Sequence, residues 1–445
     1  MTSKMPSYPS LAAQKLGLLL WTYAYVATLY GVYIWVVEPA LDYQGFLYYP
    51  PTALERFLVL FFATIPTLLM PSRLTNLSSY FYFLIYYLVY LPTLLVSTLR
   101  YPGFRPEFLT LYALLLAAML PLGALAHVPA VSLPRPQMGR LSWSSGILAA
   151  VLLVYAALVA KFGLRPPPSP LNPYDVRLAA RELGALTGYL LRIASNVLAP
   201  AVMVWGLFSR PPRRILLVGA SFVLFLLVYS FDGTKSTLFS PILILSLWFI
   251  YKKHIPVSKL LTLIVLLIWV GAAIDIALNK PIFTTIGIRR LALVPGLLTT
   301  YYYEYFVILD HPVFLFSHSF LSSLFQNPYD TTPAFLIGRI YFVSDYATSA
   351  NANFLADAIA NLGAAGIPLL GMLAAIYIYL VRALAGGREE LALLAAAIPV
   401  FSLTNSSFFT ALLTHGLFLA ALVVWLFPRS YLHQRRGVLG RTRRA

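Results

Sequence analysis

The sequence predicts an all-α polytopic membrane protein with about twelve membrane-spanning helices and a large external loop. Of the 445 residues, 60% are hydrophobic and only 11% are charged, whereas about a quarter are charged in an average soluble protein. Mean hydropathy is +0.79, and apolar runs of span length recur along the chain. The chain has no cysteine, which excludes disulfides, a thiolate nucleophile and cysteine metal ligands.

Twelve apolar runs of about 17 to 25 residues match the length that a bilayer requires. They cover residues 16–37, 53–70, 79–97, 108–131, 145–163, 186–207, 215–231, 236–251, 259–278, 353–381, 391–406 and 408–428. Prolines inside several runs are compatible with this assignment, because membrane helices accommodate them as kinks. We therefore expect residues 1–445 to form one integral membrane domain.

Lysine and arginine predict the orientation. Alternate connections are rich in these residues and poor in acids: Arg73; Arg135 and Arg140; Arg210, Arg213 and Arg214; Lys252, Lys253 and Lys259; Arg382 and Arg388; and the C-terminal tail with six arginines. By the positive-inside rule these connections and both termini are cytoplasmic. Residues 164–185 and 280–351 then form a smaller and a larger external loop.

The larger loop, residues 280–351, is too apolar and aromatic for a flexible linker. It carries charges of both signs and is predicted not to span the membrane. A long loop of this composition between membrane helices is typical of a folded cap over a site.

Cations are abundant on the predicted external side, where the positive-inside rule disfavours them. The candidates are Arg177, Arg181, Arg192, Lys235, Arg289, Arg290 and Arg339. Guanidinium groups suit phosphate oxygens, and one pyrophosphate can satisfy several of them together. Two alternatives remain open at this point: a basic surface attracted to lipid headgroups, and plain ion pairing such as Arg192 with Asp357.

Several activities are excluded. The net charge of +17 is concentrated in cytoplasmic segments that suit anionic lipid, so it does not indicate nucleic-acid binding. Gly233-Thr234-Lys235-Ser236 lacks the upstream glycine and strand of a phosphate-binding P-loop. The sequence has no Asp-X-Asp pair and no paired histidines, so we expect neither a metal nor a cofactor.

Three segments resemble bacterial O-antigen polymerases, also called oligosaccharide repeat-unit polymerases. They are the Gly-Thr-Lys-Ser turn that opens a span ending in Tyr251-Lys252-Lys253, the Tyr-rich and His-Pro segments of the larger loop, and NANFLADAIANLGAAGIPLLG at Asn351–Gly371. The resemblance covers about residues 230–380. Arg177 and Gly188 also fit an Arg-X10-Gly spacing of that family, but the larger loop has no second copy.

The resemblance implies a glycosyltransferase-C-like arrangement in the bacterial inner membrane. It also implies transfer of a glycan from undecaprenyl pyrophosphate to another lipid-linked repeat unit, without metal or nucleotide sugar. The partners would be undecaprenyl-pyrophosphate-linked glycans, membrane lipids and a chain-length co-polymerase. External cations would stabilise the leaving group, and Glu304, His318, Asp345 or Asp232 would act as the general base. Tyr301, Tyr303 and Tyr305 are candidates for stacking on sugar rings.

Two alternatives share these features. An O-antigen ligase differs only in its acceptor, lipid A core. A transporter or flippase of lipid-linked oligosaccharide would place its binding groups near the middle of the bilayer, commonly at broken helices. The sequence leaves the sugar, the linkage and an inverting or retaining outcome open.

Overall fold

The computed structural model describes residues 10–170, 173–181, 184–342, 348–429 and 431, without the side chains of Tyr174, Leu178 and Arg181. In these ranges the chain forms helices and no β-strand. A single antiparallel bridge joins Arg73 and Pro256. The predicted all-α membrane fold class is therefore confirmed.

Seventeen helices define the architecture. The first ten are α1 (Leu11–Gln44), α2 (Ala53–Leu69), α3 (Leu77–Leu99), α4 (Glu107–His127), α5 (Arg140–Phe162), α6 (Tyr174–Arg181), α7 (Ala185–Phe208), α8 (Arg213–Asp232), α9 (Lys235–Lys253) and α10 (Val257–Leu278). The next seven are α11 (Ile282–Ile308), α12 (Pro333–Tyr341), α13 (Phe354–Leu362), α14 (Gly366–Leu384), α15 (Glu389–Ser402), α16 (Phe408–Leu413) and α17 (Leu417–Leu426). Helices α1, α3, α7 and α11 each contain a π-helical segment.

Nine helical runs in the described ranges are long and apolar enough to cross a membrane, against the twelve predicted spans. They are α1, α3, α4, α5, α7, α8, α10, α11 and the continuous run α13–α14. Four predicted spans have no counterpart among them, and α11 is a candidate that was not predicted. Two of the four, 53–70 and 236–251, correspond to α2 and α9, and the other two lie at the C-terminal end. There, the predicted spans 391–406 and 408–428 are replaced by helices α15, α16 and α17, of 14, 6 and 10 residues.

Side-chain caps explain where several helices begin. Thr52 and Glu55 form a reciprocal capping box at the start of α2, and Asn76 and Ser79 do the same for α3. Each box satisfies backbone N–H groups that have no partner within the helix. Helix α8 ends at Gly233, whose left-handed conformation (φ +61°) suits a residue without a Cβ.

The connections predicted to be cytoplasmic meet at one end of the bundle. Polar contacts there join Arg73 with Pro256, Lys15 with Met70, Lys252 with Glu390, and Arg382 with Val128. The connections predicted to be external meet at the other end, where contacts join Tyr49 with Leu99, Arg100 with Gly45, and Tyr303 with Glu107. These contacts agree with the predicted grouping of the connections that they join. Which end faces the cytoplasm stays a prediction from charge.

The expectation that residues 280–351 contain no span-length helix is wrong, because α11 runs for 27 residues. Both ends of α11 nevertheless contact the predicted external end. Thr284 N–H donates to Asp275 Oδ2 near the end of α10 (2.6 Å), and Tyr303 Oη donates to the Glu107 carbonyl at the start of α4 (3.3 Å). Between these contacts α11 packs along α3. The helix lines the bundle without passing from one end to the other.

Helix α13 begins, and helix α15 ends, inside the bundle. Asn353 is fully buried and caps α13 by accepting the N–H of Leu355 (3.1 Å), while its Nδ2 donates to Thr299 Oγ1 (2.7 Å). The N–H of Phe354 donates to the Leu403 carbonyl just beyond α15 (3.1 Å). Buried caps therefore satisfy the backbone where the helices break, as an apolar surrounding requires.

Gly296 allows α11 to approach α3 closely. A Cβ at this position would lie 2.6 Å from the carbonyl carbon of Pro92, whereas a Cβ at Gly146 on α5 would meet nothing within 4 Å. We expect Gly296→Ala to lower the free energy of unfolding by about 1–3 kcal/mol through overpacking. Gly146→Ala should raise it by about 0.5–1 kcal/mol. Unfolding midpoints of the two variants in detergent measure both changes. Equal shifts of the same sign would contradict the close approach of α11 to α3.

Candidate functional site

Glu304 lies at the predicted external end, where the last turn of α11 becomes π-helical. Tyr101 Oη donates to Glu304 Oε2 (2.7 Å), and the Tyr341 hydroxyl lies close enough to interact with the same carboxylate. Burial raises the pKa of Tyr101 and of Tyr341, and the charge of Glu304 raises both further. Both phenols therefore stay protonated near neutral pH and remain available as donors.

Two guanidinium groups flank these tyrosines. Arg100 Nη1 donates to Tyr301 Oη (2.7 Å) and to the Gly45 carbonyl, and its charge interacts with Glu304. Arg105 Cζ lies 4.7 Å from the centre of the Tyr101 ring. We call Arg100, Tyr101, Arg105, Tyr301, Glu304 and Tyr341 the Glu304 cluster.

The residues of the Glu304 cluster range from fully buried to exposed. Tyr301 is fully buried, Glu304 is half-buried, and Arg105 is exposed. The neighbouring Arg289 Nη1 donates to Gln44 Oε1 (2.5 Å), one residue before the Gly45 carbonyl that Arg100 holds. A ligand arriving from the predicted external side can thus meet both a carboxylate and cations.

The three tyrosines predicted to stack on sugars are buried and contact protein side chains. Tyr301 stacks on Tyr341 with ring centres 4.1 Å apart, and Arg100 covers its ring at 4.4 Å. Tyr303 is buried. Tyr305 stacks on His311 at 4.0 Å. Stacking of these tyrosines on sugar rings stays a prediction.

A second group of charges surrounds the turn between α8 and α9. We call Arg177, Arg192, Asp232 and Lys235 the Asp232 cluster. Both Arg192 and Arg177 act electrostatically on Asp232, and a Cβ on Gly233 would lie 3.2 Å from Arg177 Cγ. Lys235 is the first residue of α9. The turn therefore gathers three of the predicted phosphate-binding cations.

Asp232 stabilises this turn and is a poor candidate for the general base. Its Oδ1 accepts the Thr234 N–H (2.8 Å), and its Oδ2 accepts the Thr234 hydroxyl (2.6 Å). The side chain is also buried. The alternative ion pair between Arg192 and Asp357 is not formed in the described structure. Asp357 instead accepts from Asn361 Nδ2 (3.3 Å).

The seven predicted cations do not form one clamp. Helix α6, which carries Arg177, packs on α8, whereas α11, which carries Arg289, packs on α3. Arg290 is exposed, and Arg339 makes an exposed ion pair with Asp330 (3.2 Å). The side chain of Arg181 lies outside the described part of the chain. Hydropathy and charge place residues at an end of the bundle but do not say which helices are neighbours.

His318, another predicted base, packs within the larger loop. Its ring lies against Phe314 (5.1 Å between centres), and burial lowers its pKa. Its Nδ1 has no hydrogen-bond partner in the described structure. The fourth candidate, Asp345, lies outside the described residues. Of the three described candidates, Glu304 is the best placed, because it is half-buried beside cations.

Arg100, Tyr101 and Arg105 are not among the site residues that the sequence predicts. They lie in the short connection between α3 and α4, which attracts no attention by length or hydropathy. A signal was nevertheless present, since two arginines in a short connection predicted to be external run against the positive-inside rule.

Comparison of the chain with protein-family models, with curated proteins and with solved structures finds no match.

Proposed function

We propose that the chain is a membrane glycosyltransferase that polymerises undecaprenyl-pyrophosphate-linked oligosaccharide repeat units on the external side of the bacterial inner membrane. The observation that carries the proposal is the half-buried Glu304, which is hydrogen-bonded to Tyr101 and flanked by Arg100. A carboxylate beside cations at a membrane surface supplies the two groups that transfer from a lipid pyrophosphate requires.

In this proposal Glu304 takes the proton of the acceptor hydroxyl as that oxygen bonds to the anomeric carbon of the donor sugar. The bond between that carbon and the pyrophosphate oxygen breaks, and undecaprenyl pyrophosphate leaves with the electron pair. Arg100, Arg105 and Arg289 are the nearest guanidinium groups to stabilise this negative charge. The proton then passes from Glu304 to water.

The division of the cations suits an enzyme with two lipid-linked substrates. A polymerase binds one pyrophosphate on the donor and another on the acceptor. The Glu304 cluster and the Asp232 cluster provide a cationic region for each, on helices that pack in different parts of the bundle. We assign the donor pyrophosphate to the Glu304 cluster and the acceptor pyrophosphate to the Asp232 cluster.

The direct test supplies purified protein in lipid nanodiscs with undecaprenyl-pyrophosphate-linked repeat units. A ladder of glycans that grows by one repeat unit supports the polymerase. A product formed only when lipid A core is added would instead identify a ligase. No transfer to either acceptor would contradict the proposal.

Removing cations from the Asp232 cluster should weaken binding of the acceptor. We expect the double variant Arg192→Ala, Lys235→Ala to raise the acceptor KM by about tenfold or more, because each charge-assisted contact is worth about 1.5–3 kcal/mol. The matched control is Arg290→Ala with Arg339→Ala, which removes two exposed cations from the same end. Steady-state kinetics with varied acceptor concentration measure the KM of both double variants. Equal increases in the acceptor KM would contradict the assignment of the acceptor pyrophosphate to the Asp232 cluster.

A transporter of lipid-linked oligosaccharide is the second candidate, because one helix ends and another begins inside the bundle. The break at Asn353 and Leu403 lies near a second irregular segment, where Asn196 Nδ2 in the π-helical part of α7 donates to the His415 carbonyl (3.1 Å). Broken helices with polar groups at that depth are typical of transporters. Movement of lipid-linked glycan between leaflets of protein-containing liposomes, without transfer, would favour this candidate.

A further inference from the structure

A hollow of about 370 Å³ opens at the predicted cytoplasmic end, between the start of α5 and the connection from α7 to α8. This volume falls within the range of about 300–1,000 Å³ that is usual for ligand pockets. Its principal lining residues are Arg140, Leu141, Ser209, Arg210, Arg213 and Tyr431. Three of them are arginines, and the described lining includes no acidic side chain.

Aromatic rings support two of these arginines. Arg140 Cζ lies 5.0 Å from the centre of the Tyr431 ring, and Arg213 Cζ lies 4.8 Å from the centre of the Trp205 ring. A ring face attracts a guanidinium group and leaves its N–H donors directed sideways. The rings therefore help to hold positive charge around the hollow.

The surface beside the hollow is apolar. Leu141 is 81% exposed, and Ile215 and Leu216, on the first turn of α8, are 73% and 71% exposed. Helix α5 is also the least buried of the candidate spans, so most of its surface faces outwards, where a bilayer would lie. Cations at the mouth and apolar side chains beside them match a lipid, whose charged headgroup adjoins acyl chains.

We propose that this hollow binds the phosphate of an anionic membrane lipid. Guanidinium groups form paired hydrogen bonds with phosphate oxygens, and basic pockets between membrane helices on the cytoplasmic side suit anionic headgroups. A free phosphate shares the headgroup chemistry but gains nothing from Leu141 and Ile215. The site lies at the opposite end from Glu304 and does not rest on the proposed function.

The test measures lipid binding to the full chain in detergent by native mass spectrometry. The probes are phosphatidylglycerol and phosphatidylcholine with identical acyl chains, and inorganic phosphate as a competitor. We expect wild type to prefer phosphatidylglycerol, and Arg210→Gln with Arg213→Gln to weaken that binding by about tenfold or more. The matched control is Lys253→Gln with Lys259→Gln, which removes two exposed cations from the same end and should change binding less than about twofold.

Three results would overturn the proposal. Equal weakening in the two double variants would show a general attraction of the basic end. Absence of a headgroup preference in wild type would show that no phosphate is recognised, and this result does not depend on any variant folding. Displacement of the lipid by inorganic phosphate at a similar concentration would show a site for soluble anions.

Discussion

Replacing Glu304 by glutamine is expected to lower kcat for glycan transfer by about 10²–10⁴-fold, the usual contribution of a general base. The amide keeps the shape of the side chain and can still accept the hydrogen bond from Tyr101. It cannot take the proton from an acceptor hydroxyl. The initial rate of ladder formation in nanodiscs measures the loss, and the KM values should change far less than kcat.

The matched control for this change is Asp310→Asn. Asp310 is an exposed carboxylate just beyond α11, and its backbone has a positive φ of +51° that asparagine tolerates well. It should therefore keep nearly the full rate. If Glu304→Gln retains more than half of the wild-type kcat, Glu304 is not the base, and His318 and Asp345 become the candidates to test.

Replacing Arg382 by methionine is expected to have the largest effect on stability. Only 2% of the Arg382 side chain is exposed, and its Nη2 pairs with Glu389 Oε1 at 2.8 Å. Its Nη1 also donates to Ser78 Oγ (3.1 Å) and to the Leu125 carbonyl (2.6 Å). Removing one partner of a buried ion pair leaves the other without compensation, so we expect a loss of about 3–5 kcal/mol.

Denaturant unfolding in detergent micelles measures this loss. Arg339→Met is the control, because it removes an arginine from an exposed pair with Asp330 and should leave stability almost unchanged. Adding Glu389→Gln to Arg382→Met should recover part of the loss, since the uncompensated charge is then removed. Similar losses for Arg382→Met and Arg339→Met would contradict the structural role of the buried pair.

Composition and charge predict much of this fold because they indicate whether a segment is surrounded by lipid or by water. Apolar runs identify nearly all of the long helices, and the contacts at each end of the bundle agree with the alternation of arginine content between connections. The end of α15 inside the bundle could not be predicted this way. The Leu403 carbonyl accepts the N–H of Phe354, and hydropathy does not report a contact between residues so far apart in sequence.

The site is less predictable than the fold. Glu304 stands out in the sequence because a carboxylate among consecutive tyrosines is unusual, and the structure places it beside Tyr101 and Arg100. Glu304 lies beside Tyr101 and Arg100 because α11 packs along α3. The contacts between the two segments join residues more than 200 positions apart in sequence. The single cationic clamp fails for the same reason: Arg177 and Arg289 share an end of the bundle but not a neighbouring helix.

The contacts at the predicted cytoplasmic end restrict how the molecule can open. Arg135, between α4 and α5, donates to the carbonyls of Val424 in the last turn of α17, of Phe427 just beyond it, and of Ala385 after α14. Together with the Arg382 contacts, these hydrogen bonds hold the helices together at the predicted cytoplasmic end. A rocking motion that exposes the interior alternately to both aqueous phases would have to break them. For the proposed polymerase, sideways entry of a long polyprenyl chain from the lipid would leave these contacts intact.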